Sequence, residues 1–330
     1  MNREEVMLAK LANPYSDDKV KLDVSLNERL LKFIDENKIS LLLKEKGVET
    51  EIARRDEKKL EILIREMKEV AKEFERRGID YVIIKFPELP RAHRDIDILV
   101  NHSQIKSVDE ILGNLGYKKK DAQEVNKKAY AKVISGDIID IDVHLEFGWW
   151  GVTYLRSNSI LEHSGIWEFK DFEIRRPCAE YELLMHASTI LFGELRLTLF
   201  DLIYAKVLID KVDSLSHTRE IASNNNWLRQ FDYFIEIINI LYNNIWGHHS
   251  YTNLNISFPY RIPVSRIFLT RMGKMASDFK SNGLRMGIKD LWGYLLEISQ
   301  LGIDYVRERF GIPSHPIFNM RRFLWGGNHV

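Results

Sequence analysis

An acid at every second position of an otherwise aliphatic stretch commits a chain to a β-strand with one chemical face, because successive strand side chains point to opposite sides. In Arg94-Asp95-Ile96-Asp97-Ile98-Leu99-Val100 that alternation turns Ile96 and Ile98 towards a core and leaves Asp95 and Asp97 side by side on the other face. Two carboxylates held so close repel one another unless positive charge lies between them. A divalent cation, magnesium or manganese, suits such hard oxygen ligands. A half-buried edge strand with a solvated acidic face would show the same pattern, so this stretch alone leaves both readings open.

A second stretch, Ile138-Ile139-Asp140-Ile141-Asp142-Val143-His144-Leu145-Glu146-Phe147, repeats the pattern. It is expected to carry Ile139, Ile141, Val143, Leu145 and Phe147 on one face and Asp140, Asp142, His144 and Glu146 on the other. Gly136-Asp137, between this run and the extended run from Ala129 to Ser135, predicts a hairpin. The new strand then has a place beside the Asp-Ile-Asp strand, where a third carboxylate reaches the same cation. Two acidic strands, each with a single chemical face, favour a metal centre over plain surface.

The approach to the first strand is cationic. Tyr81-Val82-Ile83-Ile84 is β-rich and ends at Lys85; Phe86-Pro87-Glu88-Leu89-Pro90 is a loop, since its prolines forbid a helix; Arg91, His93 and Arg94 then lead into the acids. Lys85, Arg91 and Arg94 are suited to phosphate oxygens, arginine as a fork and lysine as a point charge. Simple compensation of the acids accounts equally well for Arg91 and His93, which leaves Lys85 and Arg94, at the strand ends, as the better phosphate ligands.

Three parts are expected: an N-terminal helical segment over 1–77, an α/β core over 78–176 and a helical part over 177–330. From Glu51 to Arg77 the apolar positions Leu60, Ile62, Leu63, Ile64, Met67, Val70, Ala71 and Phe74 form the buried stripe of a long helix, which Gly78 stops. A shorter helix is predicted over Ser107–Leu115. Trp149, Trp150, Tyr154 and Trp167 either stack on a base or cover the core, the second being the commoner use. Beyond Ala179 the chain reads as helical, through Leu195-Arg196-Leu197 to Ile209, with further helices over Trp227–Tyr242 and Val264–Gly311. His186, Arg196 and Asp201 lie in apolar surroundings, where polar groups need partners, and belong to a buried network or to a ligand site. His248-His249 reads as a solvated loop.

Bulk properties narrow the partners. Lys and Arg number 48, as do Asp and Glu, so net charge is zero and gives no whole-chain pull towards nucleic acid or acidic membranes. The single cysteine, Cys178, excludes an internal disulfide and a multi-cysteine zinc site, as expected of a cytoplasmic protein. Met1 to Glu5 lacks the apolar core of a signal peptide, and no apolar run approaches the roughly 18 residues of a membrane span.

Taken together, Ile83-Ile84-Lys85, Arg94-Asp95-Ile96-Asp97-Ile98-Leu99-Val100, Asp142-Val143-His144, Leu183-Leu184-Met185-His186-Ala187, Leu195-Arg196-Leu197 and Asp201 resemble the nucleotidyltransferase superfamily related to DNA polymerase β. The resemblance is in particular to the uncharacterised nucleotidyltransferase family of bacteria and archaea. It implies an α+β fold with a mixed sheet and flanking helices, plus N- and C-terminal helical parts. It also implies transfer of a nucleoside monophosphate from a nucleoside triphosphate to an acceptor hydroxyl that the sequence does not identify. Asp95 and Asp97 would bridge two magnesium (or manganese) ions about 3.5–4 Å apart, with Asp142 on one of them and Asp140 as its rival. Lys85, Arg94 and Arg91 would neutralise phosphate; His144 would orient a carboxylate or reach the attacking or leaving oxygen; His186 and Arg196 would border the substrate, bracing the helical part with Asp201. One departure stands out. The superfamily begins its site with Gly-Ser, or Lys-Gly in this branch, so that a helix end can hold phosphates, whereas this chain has Lys85-Phe86-Pro87. A degenerate fold that binds nucleotide or another protein without turnover is the rival expectation.

Overall fold

The computed structural model describes residues 1–15, 26–120, 126–149, 152–169, 172–247 and 256–263. The expected pairs His248-His249 and Trp150, and the helices of 264–311, lie outside them. Helices α1 (Arg3–Leu11), α2 (Glu28–Glu36) and α3 (Ser40–Glu45) precede α4 (Glu51–Arg77), which has the bounds its apolar stripe predicts. Thr50 caps α4 at its start and Gly78, at φ 66°, closes it in the left-handed conformation that glycine adopts without strain. Leu63, Ile64, Met67, Val70, Ala71 and Phe74 are buried along it, and Leu60 and Ile62 are half-buried.

The chain then builds a sheet from β1 (Tyr81–Ile84), β2 (Asp95–Val100), β3 (Lys118–Lys119), β4 (Lys127–Ile134) and β5 (Asp137–His144), with α5 (Ile105–Asn114) crossing over after β2. The strand order is β1-β2-β5-β4-β3. Of the pairs in this sheet, β2–β5 alone is parallel, because α5, β3 and the antiparallel β4 intervene along the chain between them. Ser135 and Gly136, at φ 53° and 92°, form the two-residue turn between β4 and β5, and positive φ at both central positions is what such a hairpin requires. The mixed α+β architecture is the one the sequence implies.

After β5 the chain departs from the expected single long strand. It bends at Leu145-Glu146 into β6 (Phe147–Trp149), which pairs with β7 (Val152–Leu155). Phe147 therefore does not share a face with Ile141 and Val143: it packs among the helices, while they pack under the sheet. Glu146 accepts a hydrogen bond from the Ser157 N–H (2.8 Å) at the start of α6 (Ser157–Glu162), away from the acidic face. The antiparallel pair β8 (Ser164–Phe169) and β9 (Phe172–Pro177) precedes α7 (Ala179–Ser188).

A π-helical turn at Thr189–Glu194 follows, and Leu195, at φ 53°, stops the helix that the sequence pattern would have continued. Arg196-Leu197 instead forms β10, paired with β11 (Tyr260–Arg261). The next helix, α8 (Leu199–Lys211), begins at a capping box in which Thr198 and Asp201 satisfy each other's backbone N–H. Helices α9 (Leu215–Asn224) and α10 (Leu228–Trp246) follow, ahead of β11.

The two faces of the sheet have different covers. Tyr81, Ile83, Ile96, Ile98, Ile141 and Val143 pack against α4 and α5. Val82, Ile84 and Leu99, on the other face, join the core shared by α1, α2, α7, α8 and α10. The acids lie on this second face, where its apolar cover gives way.

Candidate metal centre

Register builds the site. On β2 and β5, Asp95 lies opposite Asp140, Asp97 opposite Asp142 and Leu99 opposite His144. β1 adds Val82 beside Leu99 and Ile84 beside Asp97; β4 adds Lys127 beside His144, Ala129 beside Asp142 and Ala131 beside Asp140. Alternation keeps all of these on one face, which runs from an apolar row into an acidic one bordered by alanines.

Asp97, Asp142 and His144 each offer a ligand atom, and these atoms lie within 4.8 Å of one another. His144 is 3% exposed and Asp97 8%. His144 Nε2 stands 2.6 Å from Asp97 Oδ1, while its Nδ1 has no hydrogen-bond partner among the described residues. Lys85 Nζ donates to the same Asp97 oxygen at 2.9 Å, and Lys127 Nζ donates to Asp142 Oδ2 at 2.9 Å. Lys120 Nζ reaches Asp140 Oδ2 at 2.8 Å, so the two rivals for the third carboxylate differ: Asp142 stands with Asp97 and His144, Asp140 with a lysine at the margin.

Titration follows from this arrangement. Burial opposes the charge of Asp97, but Lys85 and His144 together outweigh it and hold the carboxyl far below the usual range. For Asp95 the balance is the reverse: burial, then the Asp97 carboxylate, outweigh Lys85 and Lys127 and push its pKa up to about 7. Burial, then Lys85, lower the pKa of His144 and keep the ring neutral, with Nε2–H donating to Asp97. A divalent cation fits this donor set. The two ammonium groups already on Asp97 and Asp142 show that the oxygens accept positive charge, and the neutral imidazole adds a ligand needing no net loss of charge.

The residues on the approach divide. Lys85, at φ 56°, holds the left-handed conformation that favours glycine, a strained turn that aims its ammonium at Asp97. Phe86 is buried and stacks on His93 with ring centroids 4.6 Å apart. His93, held neutral by burial and Arg91 with its pKa lowered to about 3, is thus no counter-charge. Arg91 lies over the Phe200 ring (5.2 Å) with Nη1 3.8 Å from Asp201 Oδ1. Arg94 is exposed, and no ion pair joins it to the acids among the described residues. Asp201 is buried in its capping box and its backbone carbonyl lies 2.9 Å from His186 Nε2, so these two belong to a network at the start of α8. Arg196 is exposed and donates to the Glu36 carbonyl at 3.3 Å, outside that network. Tyr154 stacks on Phe192 in the core, and Trp167 lies under the Arg176 guanidinium at 4.1 Å.

Three lysines and a helix junction go unmarked in the sequence. Lys127 was within reach, since counting outward from the Ser135-Gly136 turn puts it opposite His144. Lys120 and Lys38, whose ammonium lies 3.5 Å from Glu194, carry no local signal. Nor does Asn37, which caps α8 from the far end of the chain through the Leu199 and Phe200 N–H groups.

No known protein-family model and no characterised protein sequence matches the chain. Among solved structures it is similar to the lincomycin-bound crystal structure of the lincosamide antibiotic adenylyltransferase LnuA, at 20% identity over 45% of this chain and 97% of that one, with a TM-score of 0.34. It is also similar to the solution structure of the antibiotic-resistance factor ANT(2'')-Ia, at 13% identity over 56% of this chain and 94% of that one, with a TM-score of 0.27.

Proposed function

We propose that the chain is a metal-dependent nucleotidyltransferase that moves a nucleoside monophosphate from a nucleoside triphosphate to an acceptor hydroxyl. The observation that carries this reading is the parallel β2–β5 register, which sets Asp97 against Asp142 and brings His144 to the same point. Carboxylates on neighbouring strands, with lysines on both, form a site for a cation and for phosphate oxygens at once. When bound, the magnesium or manganese ion supplies positive charge that offsets the charge of the reacting phosphate. Asp97 and Asp142 hold the ion, with Asp95 beside them. Lys85 and Lys127 neutralise phosphate oxygens, and Arg91 and Arg94 supply further cations on the approach. In the transfer the acceptor oxygen forms a bond to the α-phosphorus, the bond to the β-phosphate oxygen breaks, pyrophosphate leaves and the hydroxyl proton is released.

The test is incubation of the full chain with each α-labelled nucleoside triphosphate, Mg2+ or Mn2+ and a panel of hydroxyl acceptors. Label is expected to move to an acceptor in the parent and not in Asp97→Asn. Equal transfer by both would defeat the assignment. A second reading, a fold that binds nucleotide without turning it over, is favoured by Phe86, which is buried against His93 where this branch has glycine. Saturable nucleotide binding with no transfer to any acceptor would select it.

A further inference from the structure

The donor atoms of the cluster are not all oxygen, and that bears on which ion it takes. Resting on the reading of Asp97 and Asp142 as metal ligands, we propose that His144 is itself a ligand through Nε2, and that the centre prefers Mn2+ to Mg2+.

Position is the first argument. Nε2 is 2.6 Å from Asp97 Oδ1, and the ligand atoms of Asp97, Asp142 and His144 form one group within 4.8 Å. At 2.6 Å two lone pairs cannot face one another, so without an ion the Nε2 proton joins ring and carboxylate, and an ion held by both atoms would take that proton's place. The ring is also fixed. It is buried, 6.4 Å from the Phe147 ring, and its strand position is locked between Leu99 of β2 and Lys127 of β4. A ligand that need not be ordered on binding loses little entropy.

The alternatives are less suited. Among the described residues neither Asp140 nor Asp95 is in the group of mutually close ligand atoms. That leaves an oxygen, oxygen, nitrogen set. Magnesium demands oxygen ligands in near-ideal octahedral geometry and keeps several waters, whereas imidazole nitrogen favours first-row transition metals. Proton balance is simple: the metal takes the Nε2 lone pair and the ring proton moves to Nδ1, which is unpartnered among the described residues. The neutral ring binds with no net proton release. As a mere hydrogen-bond donor to Asp97, His144 would leave an all-oxygen centre with no such preference.

The experiment uses the full chain after chelator treatment, with Mn2+ alone as the probe and no nucleotide. Electron spin-echo modulation at the bound Mn2+ is expected to show nitrogen coupling that His144→Gln removes. Competition is expected to show Mn2+ binding at least about tenfold more tightly than Mg2+ in the parent, falling towards parity in the variant. Binding without nitrogen coupling, equal affinity for the two ions, or coupling and preference both retained in His144→Gln would overturn the proposal. If the variant does not fold, the parent's coupling and ion preference decide. Failure here is distinct from failure of the proposed function: transfer supported by an oxygen-only centre refutes His144 as ligand alone, and a nitrogen-ligated Mn2+ without transfer refutes the activity alone.

Discussion

Asp95→Asn is expected to stabilise the chain at pH 8 and to do much less at pH 5. Burial and the neighbouring Asp97 carboxylate raise the pKa of Asp95 from an ordinary 3.8 to about 7. Between those values the folded chain holds a proton that the unfolded chain has released, so stability falls as pH rises through the window and levels off above it. A shift of that size corresponds to about 4 kcal/mol lost by pH 8 relative to strong acid, of which about 2–3 kcal/mol develops between pH 5 and pH 8. Because Asp95 and Asp97 titrate together, part of this belongs to the pair, and about 2 kcal/mol is the gain expected of the variant at pH 8. Urea unfolding of parent and variant at both pH values, in chelator, measures the difference directly. An equal gain at the two pH values, or a loss at pH 8, would refute the picture of a carboxylate ionised against its surroundings. Added Mn2+ is expected to shrink the difference, since it supplies the missing positive charge.

Lys127→Gln removes the ammonium from Asp142, so calorimetry is expected to show Mn2+ binding tightened by about fivefold, the equivalent of about 1 kcal/mol for a partly exposed pair. Phe86→Ala deletes a buried ring stacked on His93 and is expected to cost about 3–4 kcal/mol in urea unfolding, with no gain in nucleotide affinity. Gly78→Ala meets nothing within 4 Å, so the cost expected in the same assay, about 1 kcal/mol, is that of a left-handed alanine alone.

What the sequence exposed was whatever repeats locally. A period of two revealed β2 and β5, Gly136-Asp137 signalled the hairpin, whose turn lies one residue earlier at Ser135-Gly136, and the stripe from Leu60 to Phe74, closed by Gly78, gave α4 to the residue. Where local propensity yielded to a tertiary demand, the reading failed. Leu195-Arg196-Leu197 has a helical pattern, yet Leu195 turns left-handed and the next two residues pair with Tyr260-Arg261, more than sixty residues away in sequence. Phe147 continues the β5 alternation in sequence, yet the bend after His144 sends it to the other core. In the site, the carboxylates announced themselves by spacing, whereas their partners did not. Lys120 and Lys127 are two of many lysines until the register of a different strand puts them beside Asp140 and Asp142.

Those lysines bear on the departure at Phe86. A glycine there would let backbone N–H groups approach a phosphate closely; Phe86 instead closes the loop by stacking on His93. On the proposed reading the phosphates are then held by side-chain charge, and the charges at hand are the ammonium groups of Lys85 and Lys127, now on Asp97 and Asp142. With His144 neutral, Asp95, Asp97 and Asp142 outnumber these two lysines by one charge when all are ionised. A divalent cation arriving alone would reverse that balance and compete with both lysines for the same oxygens. Arriving with an anionic triphosphate it does neither, because the cation takes over the carboxylates while the displaced ammonium groups find phosphate oxygens nearby. The pairs that hold the cluster together without a metal are thus the groups that would replace the missing glycine cradle once one is bound.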